Sequence, residues 1–461
     1  MGAGIAGLTA ATELKRRGLP VIVFEAGKGI GGLASSFKDK DGFAYDFGAH
    51  FVSNRLASLL GARNICRTVK HYGEAVHVDG RSYGYPFGLM SVPRFAAGAL
   101  RERFGERPPM RTAGDWFRRK YGEALAREVA IPLTEAWSGA DVDDLALTVG
   151  HKFGPRILKA LYLGAAAKIT RRAVCNGYSH EMPESSDVYH VYPEGGISKL
   201  LEPMAKQAAD FIRLESPVEG ILTDGDRVEA VRVDGREVPV SAVISTAPVN
   251  ILPRIVKGTS ALDRMAKFRY RPMIFVNLHF EGRGILPDTM LWVPDRSKCF
   301  FRMTETPISM PWLAPEGKTL ITFDIGCEMS DAHWTMSDED LAKLCLAGIS
   351  DIFPKAGSSF IRAGGVVRTP VSYPVYLQEY EDIRRQFAAS TGVDGLYSIG
   401  RNGEFAHILM EDVYWRTLRR CADVAAYVEG GRQRIDDSVE LAPSALDPLP
   451  ELAEEQKHAA A

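Results

Sequence analysis

Apolar positions along the chain change period from one segment to the next, and each period predicts an element. Residues 8–17 carry helical spacing, and residues 21–24 form a short apolar strand that ends on Glu25. Residues 43–51 read as a strand entering a glycine turn at Gly48. Residues 74–87 alternate around Asp79-Gly80 and predict a hairpin. Residues 88–170 are mostly helical in pattern, and residues 115–122 suit a capped helix stopping at Gly122. Residues 155–172 place Ile157, Leu158, Leu161, Leu163 and Ala165 ahead of Lys168, Arg171 and Arg172. They are read as an ordinary helix packing on the core, although the same pattern suits a helix lying on a membrane surface.

Pro193 with Gly195-Gly196 then makes a turn before a helical run to about residue 210. Strands joined at Asp224-Gly225, another at 231–233, and a buried strand at 242–248 follow. Residues 265–375 look like a second sheet, with strands at 273–280, 290–293, 300–303, 319–323 and 366–376. A helix that Ser337 caps and that runs to Ile352 belongs to it. An apolar strand then enters Gly400-Arg401, and a helix runs from about Met410 to Glu429. Residues 443–461 are rich in Pro, Glu and Ala and read as disordered.

Composition narrows the class. A length of 461 residues allows about two or three domains and a large core. The net charge of −2 makes no electrostatic case for nucleic acid or for an anionic membrane as the main partner, and no peripheral membrane contact is expected. The cysteines are scattered without a C-x-x-C or zinc spacing, so reduced thiols in the cytoplasm and no metal site are expected. No signal peptide and no apolar run of the ~18 residues a transmembrane helix needs is present.

The chemistry is concentrated at the start. Gly2-Ala3-Gly4-Ile5-Ala6-Gly7 is a G-x-G-x-x-G turn opening the first helix. Gly2 permits the tight turn, Gly4 lets a pyrophosphate approach the backbone, and Gly7 lets the helix pack closely. The helix N-terminus at Ile5 and Ala6 offers N–H groups to phosphates. Glu25 can accept hydrogen bonds from both ribose hydroxyls of an adenosine. The strand that should run into Gly2 is absent, so the reading predicts that the natural start lies upstream of Met1 or that another segment fills the gap.

Glu25-Ala26, Gly31-Gly32, Ser35-Ser36 and the segment from Phe43 to Phe51 resemble the start of an FAD-dependent superfamily. It comprises amine oxidases, protoporphyrinogen oxidase, phytoene desaturases and UDP-galactopyranose mutase. The Gly400-Arg401-x-Gly403…Met410-x-Asp412 segment is similar to its protoporphyrinogen-oxidase-like and mutase-like branches rather than to the ending of true amine oxidases. The resemblance covers about residues 1–430. It implies an α/β fold: a Rossmann-type, glutathione-reductase-like FAD-binding domain, a mixed-sheet substrate domain and a helical cap insertion. The implied boundaries are FAD-binding parts at 1–70, 186–250 and 386–432, a substrate-domain hairpin at 71–87, a helical cap at 88–185, a substrate-binding sheet at 251–385 and a tail at 433–461.

By the same resemblance FAD is the cofactor. Gly31, Gly32 and Leu33 lie along its diphosphate and ribityl chain, and Gly48, Ala49 and His50 near the isoalloxazine ring. Val218 contacts adenine through its backbone, and Gly400, Arg401, Met410, Glu411 and Asp412 close the site. Ala26 belongs with Glu25 at the ribose. His50, Arg271 and Tyr373 are nominated as catalytic residues, and His407, Trp292 and Tyr376 as further pocket candidates. The expected activity is oxidation or desaturation of a small organic substrate, in secondary or specialised metabolism, by hydride transfer to flavin N5. Dioxygen or another acceptor would reoxidise the flavin. One alternative is a mutase-like sugar isomerase with reduced FAD as nucleophile, for which Arg271, Arg302 and Arg368 are diphosphate candidates. Another is a flavin-binding protein without catalysis.

Overall fold

A computed structural model describes residues 1–104, 109–153 and 157–430. The tail expected to be disordered lies outside these residues. The glycine turn leads into helix α1 (Ile5–Arg16), whose buried side carries Ala6, Leu8, Ala10, Ala11 and Leu14. Strand β1 (Val23–Phe24) follows, shorter than the apolar run that predicts it. The hairpin forms where expected, from β2 (Glu74–Val78) and β3 (Arg81–Gly84). Asp79 and Gly80 both take left-handed φ values, 53° and 70°, which fits the turn to the strand twist.

Helices α2 (Pro93–Phe104) and α3 (Ala113–Tyr121) come next. The cap of α3 is Thr112, three positions ahead of the expected start at Asp115. Its hydroxyl accepts from Asp115 N (3.0 Å) while the Asp115 carboxylate accepts from Thr112 N (3.2 Å). Gly122, at φ 80°, ends the helix. Helix α4 (Ile157–Thr170) departs from its reading as a core helix. Leu163 and Ala166 are buried, but Leu161, Tyr162 and Ile169 are 52%, 57% and 83% exposed. Pro155 and Arg156, at the start of that predicted helix, lie outside the described residues.

The chain then returns. Strand β4 (Ile212–Arg213) pairs in parallel with β1, Val23 opposite Ile212. β5 (Val218–Asp224) and β6 (Arg227–Val233) form the core of a small sheet. β7 (Val243–Ser245) pairs in parallel with a strand near the end of the described chain. A large sheet follows from β8 (Tyr270–Glu281), β9 (Met290–Trp292), β10 (Arg302–Thr304), β11 (Lys318–Gly326) and, after helix α5 (Asp338–Ile352), β12 (Phe360–Pro374). Its order is β12-β8-β11-β10-β9-β2-β3, so the early hairpin is recruited by a parallel pairing of β9 with β2. β8 is buried along its length up to Glu281. Ile274, Val276, Leu278 and Phe280 pack with Leu341, Cys345 and Ile349 of α5, while Met273 and Phe275 join the core on the other side. Burial on both faces explains its near-continuous apolar run.

β13 (Leu396–Ser398) pairs with β7, and helix α6 (Met410–Gly430) packs against α1. Between the β4–β1 ribbon and the β7–β13 ribbon lie Met1 and Gly2. Gly2 N donates to Phe24 O (2.7 Å), the Met1 amino group to Ile244 O (2.7 Å), and Thr246 N to Met1 O (3.1 Å). Two residues, Met1 and Gly2, therefore bridge the two parallel ribbons. Among the described residues no helix is long and apolar enough to cross a membrane.

Candidate active site

A cavity of about 550 Å³ opens where these parallel ribbons end and meet the large sheet. That is the position where open parallel sheets bind nucleotides. One end is built from backbone. α1 has no side-chain cap, so the first-turn N–H groups of Ile5 and Ala6 face the cavity unclaimed. The turn beneath admits no side chain: a Cβ on Gly2 would lie 2.2 Å from Thr246 Oγ1, and one on Gly7 would lie 1.9 Å from Gly2 O. Gly31 N donates to Ala3 O (2.9 Å), and Gly31 and Gly32 take φ values of 116° and 56°. Glu25 is held at the β1 end by Ala3 N and Gly27 N, each 2.7 Å from one carboxylate oxygen, which leaves lone pairs for further donors. Ala26, Leu33 and Val218 complete this end. The arrangement fits the adenosine and diphosphate of a dinucleotide, received by helix N–H groups and Glu25.

The other end is aromatic. Phe47 and Phe275 meet edge to face at 6.2 Å, and Tyr373 stands 4.9 Å from His407 and 5.5 Å from Trp137, between ring centroids. His50 Nε2 lies 3.1 Å from the Leu33 carbonyl, so that nitrogen carries the proton. Burial lowers the His50 pKa, which keeps the ring neutral at pH 7. Gly48 does not reach the cavity. It lies behind the wall at φ 70°, where a Cβ would come within 2.8 Å of Phe275 Cε1. Ala49 and Met410 line the wall itself.

Two guanidiniums face this end. Arg302, from β10, is ion-paired with fully buried Asp324 of β11 and lies 5.2 Å over the Trp292 ring. Burial opposes its charge, but the Asp324 carboxylate outweighs that and holds the pKa above its ordinary value. Arg401, beside Gly400, donates only to carbonyls: Ile408 O (3.1 Å) and Ser372 O (3.3 Å). Its guanidinium carbon lies 5.2 Å over the Tyr373 ring. Burial pulls its pKa below the ordinary arginine value, the signature of a cation without a carboxylate partner.

Besides Gly48, three nominated residues are placed elsewhere. The Arg271 side chain points to Glu328, 2.6 Å away, and packs over Gly139, outside the cavity wall. The Glu411 and Asp412 side chains turn away from the cavity, Glu411 toward Ser53 and Arg55 and Asp412 toward Ser179 and His180. Glu411 accepts from Ser53 Oγ (2.6 Å) and pairs with Arg55. Asp412 accepts from Ser179 Oγ (2.7 Å) and His180 N (2.8 Å). Helical spacing explains this, because only one side of a helix start can face the cavity, and Met410 and Val413 take it. Burial alone would raise the Asp412 pKa, but these hydrogen bonds hold it below the usual carboxylate range. A carboxyl so lowered stabilises the fold above its unfolded pKa and stops doing so as pH falls through the folded value. Asp412→Asn should therefore cost about 2 kcal/mol at neutral pH, with a difference from wild type that shrinks in acid. Urea unfolding at both pH values reads it.

Other wall residues carry no motif. Phe275 and Arg302 come from sheet strands, and Thr246 and Ala247 from the end of β7. The rule that ligands bind beyond the carboxyl ends of parallel strands would have found the last two. Trp137, which backs Tyr373, had no signal.

Fold and site together define an α/β protein with a cavity that runs from a glycine turn to an aromatic chamber. A sequence profile of the flavin containing amine oxidoreductase family matches residues 5–425, and the chain belongs to that family. It is a flavin-dependent oxidoreductase with FAD as cofactor. Its relatives include the zeta-carotene-forming phytoene desaturase of Myxococcus xanthus, 24% identical over 69% of this chain and 69% of that protein. The coproporphyrinogen III oxidase of Bacillus subtilis (strain 168) is 23% identical over 88% of this chain and 93% of its own. Among solved structures, reduced UDP-galactopyranose mutase superposes with a TM-score of 0.74 at 17% identity, covering 96% of each chain. Putrescine oxidase bound to putrescine superposes at 0.63 and 17% identity, over 92% of this chain and 98% of that one. At such identities these structures speak for the fold.

Proposed function

We propose that the enzyme oxidises or desaturates a small organic substrate, with FAD in the large cavity as hydride acceptor and dioxygen or another acceptor restoring it. The bound flavin supplies the redox chemistry. The chain supplies position, dryness and charge. Phe47, Phe275 and Tyr373 wall the chamber and exclude water from the reacting carbon. Neutral His50, with His407 the other imidazole on this wall, takes a proton released with the hydride, since Glu25 is the sole carboxylate on the cavity wall among the described residues and belongs to the far end. Arg401 offers positive charge where electrons arrive.

The observation that carries this reading is the fate of the arginines. A sugar-nucleotide isomerase needs cations free for a diphosphate. Arg271 is bound to Glu328, Arg368 to Asp338 and to the Trp334 and Met336 carbonyls, and Arg302 to Asp324. That leaves Arg401, whose N–H groups go to the Ser372 and Ile408 carbonyls, as the one cavity-wall arginine without a carboxylate partner among the described residues, in an aromatic chamber suited to a substrate with a C–H bond to lose.

The test is anaerobic. The purified holoenzyme is mixed with candidate amines, alcohols and apolar polyenes, and flavin absorbance is followed. Bleaching that air reverses is the expected result. Turnover of a UDP-sugar by dithionite-reduced enzyme, with no bleaching by any donor, would establish the isomerase instead.

A further inference from the structure

We propose that helix α4 docks the enzyme on an anionic lipid surface. The helix has its apolar residues on the wrong side for a core helix. Leu161, Ala165 and Ile169 recur at every fourth position along one exposed stripe, and Tyr162 adjoins it. Ile169 is 83% exposed, more than any other large apolar side chain among the described residues. Leu163 and Ala166, on the opposite side, already hold the helix to the protein. The exposed stripe therefore adds nothing to the fold and leaves apolar area in water, at a cost proportional to that area.

Charge identifies what covers it. From Ile157 to Arg172 there is no acidic residue, while Lys159, Lys168, Arg171 and Arg172 are basic. This departs from a chain with 56 basic and 58 acidic residues. Lys159 is engaged by Glu184 (2.7 Å), and Arg172 lies 4.6 Å over the Tyr189 ring. Lys168 and Arg171 stay exposed beside the stripe. An aliphatic stripe with a tyrosine and flanking cations matches the headgroup–acyl boundary of a bilayer. The side chains enter the acyl layer while lysine and arginine remain among the phosphates.

The helix is also tied to the active site. The chain leaving it passes Ala173 and Cys175 to Tyr178, whose ring lies 5.0 Å from that of Phe51, a cavity-wall residue. Docking would place this wall close to the lipid, where an apolar substrate is concentrated.

The experiment is flotation of the FAD-loaded enzyme with phosphatidylcholine vesicles, with and without phosphatidylglycerol. Wild type should float with the anionic vesicles and be released by high salt. Lys168→Gln with Arg171→Gln should weaken that binding roughly thirtyfold, from about a factor of five per cation. Leu161→Glu with Ile169→Glu should abolish it. All variants should keep wild-type FAD content and thermal midpoint, because none of these side chains is buried. Absence of flotation by wild type overturns the proposal. So does a wild-type dimer, by light scattering, that Leu161→Glu with Ile169→Glu turns into a monomer, since the stripe would then be a contact between copies of this chain.

Discussion

Gly7→Ala should yield protein without flavin. The added methyl would lie 1.9 Å from the Gly2 carbonyl oxygen, and its next neighbour is the Gly2 carbonyl carbon, so neither obstacle is the movable end of a side chain. Relief requires α1 to lift from the turn, which pulls Ile5 and Ala6 out of line with the cavity and breaks the packing of Leu8 and Leu14 beneath. Overpacking of this kind costs about 3 kcal/mol or more. The anion site at the helix start is lost with it. The visible absorbance of the purified protein and its thermal midpoint both report the change. Gly29→Ala is the matched control. It lies in the loop before Gly31, meets nothing within 4 Å and needs no left-handed backbone, so it should bind flavin like wild type. Full flavin content in Gly7→Ala would show that the helix does not need this close approach.

Arg401→Met should leave flavin bound but make it harder to reduce. The side chain is a buried cation whose bonds go to the Ser372 and Ile408 carbonyls, and no carboxylate neutralises it. A positive charge about 5 Å from newly arriving negative charge contributes about 3 kcal/mol at an effective dielectric near 20. For a two-electron couple that is a fall of about 70 mV in midpoint potential. Arg401→Lys keeps the charge, loses part of the hydrogen bonding and should recover most of the potential. A dye-equilibrated reductive titration reads it. A merely structural role for Arg401 would show as lost thermal stability in both variants with unchanged potential.

The adenosine and diphosphate end was legible because each requirement there is local. A left-handed φ at Gly31, a helix that starts without a side-chain cap, and an acid closing a two-residue strand are properties of short stretches. The same holds for the Asp79-Gly80 turn. The catalytic wall was not legible in this way. Arg271, Arg302 and Arg368 lie on three strands of one sheet and look equivalent in sequence, yet only Arg302 reaches the cavity. Alternation would put Arg271 on the same face as Phe275, two pleats away. Arg271 lies at the start of β8, however, where it packs over Gly139 and meets Glu328 beyond the cavity wall. Which segment lies opposite a given position of a strand leaves no trace in that strand's own pattern.

Helix α4 teaches the converse. Its periodicity was read correctly as a helix, but periodicity alone does not say which neighbour covers the apolar side. By itself the sequence determined the cofactor and the glycine turn, Gly31-Gly32 and Glu25 that line one end of the cavity, because backbone conformation and helix polarity are encoded within a few residues. Only the tertiary structure decided which arginine faces the cavity, that Glu411 turns to Ser53 and Asp412 to Ser179, and that the stripe of α4 stays exposed. These follow from strand register and from which helix side is taken by a distant segment, and both are properties of pairs of segments rather than of either one.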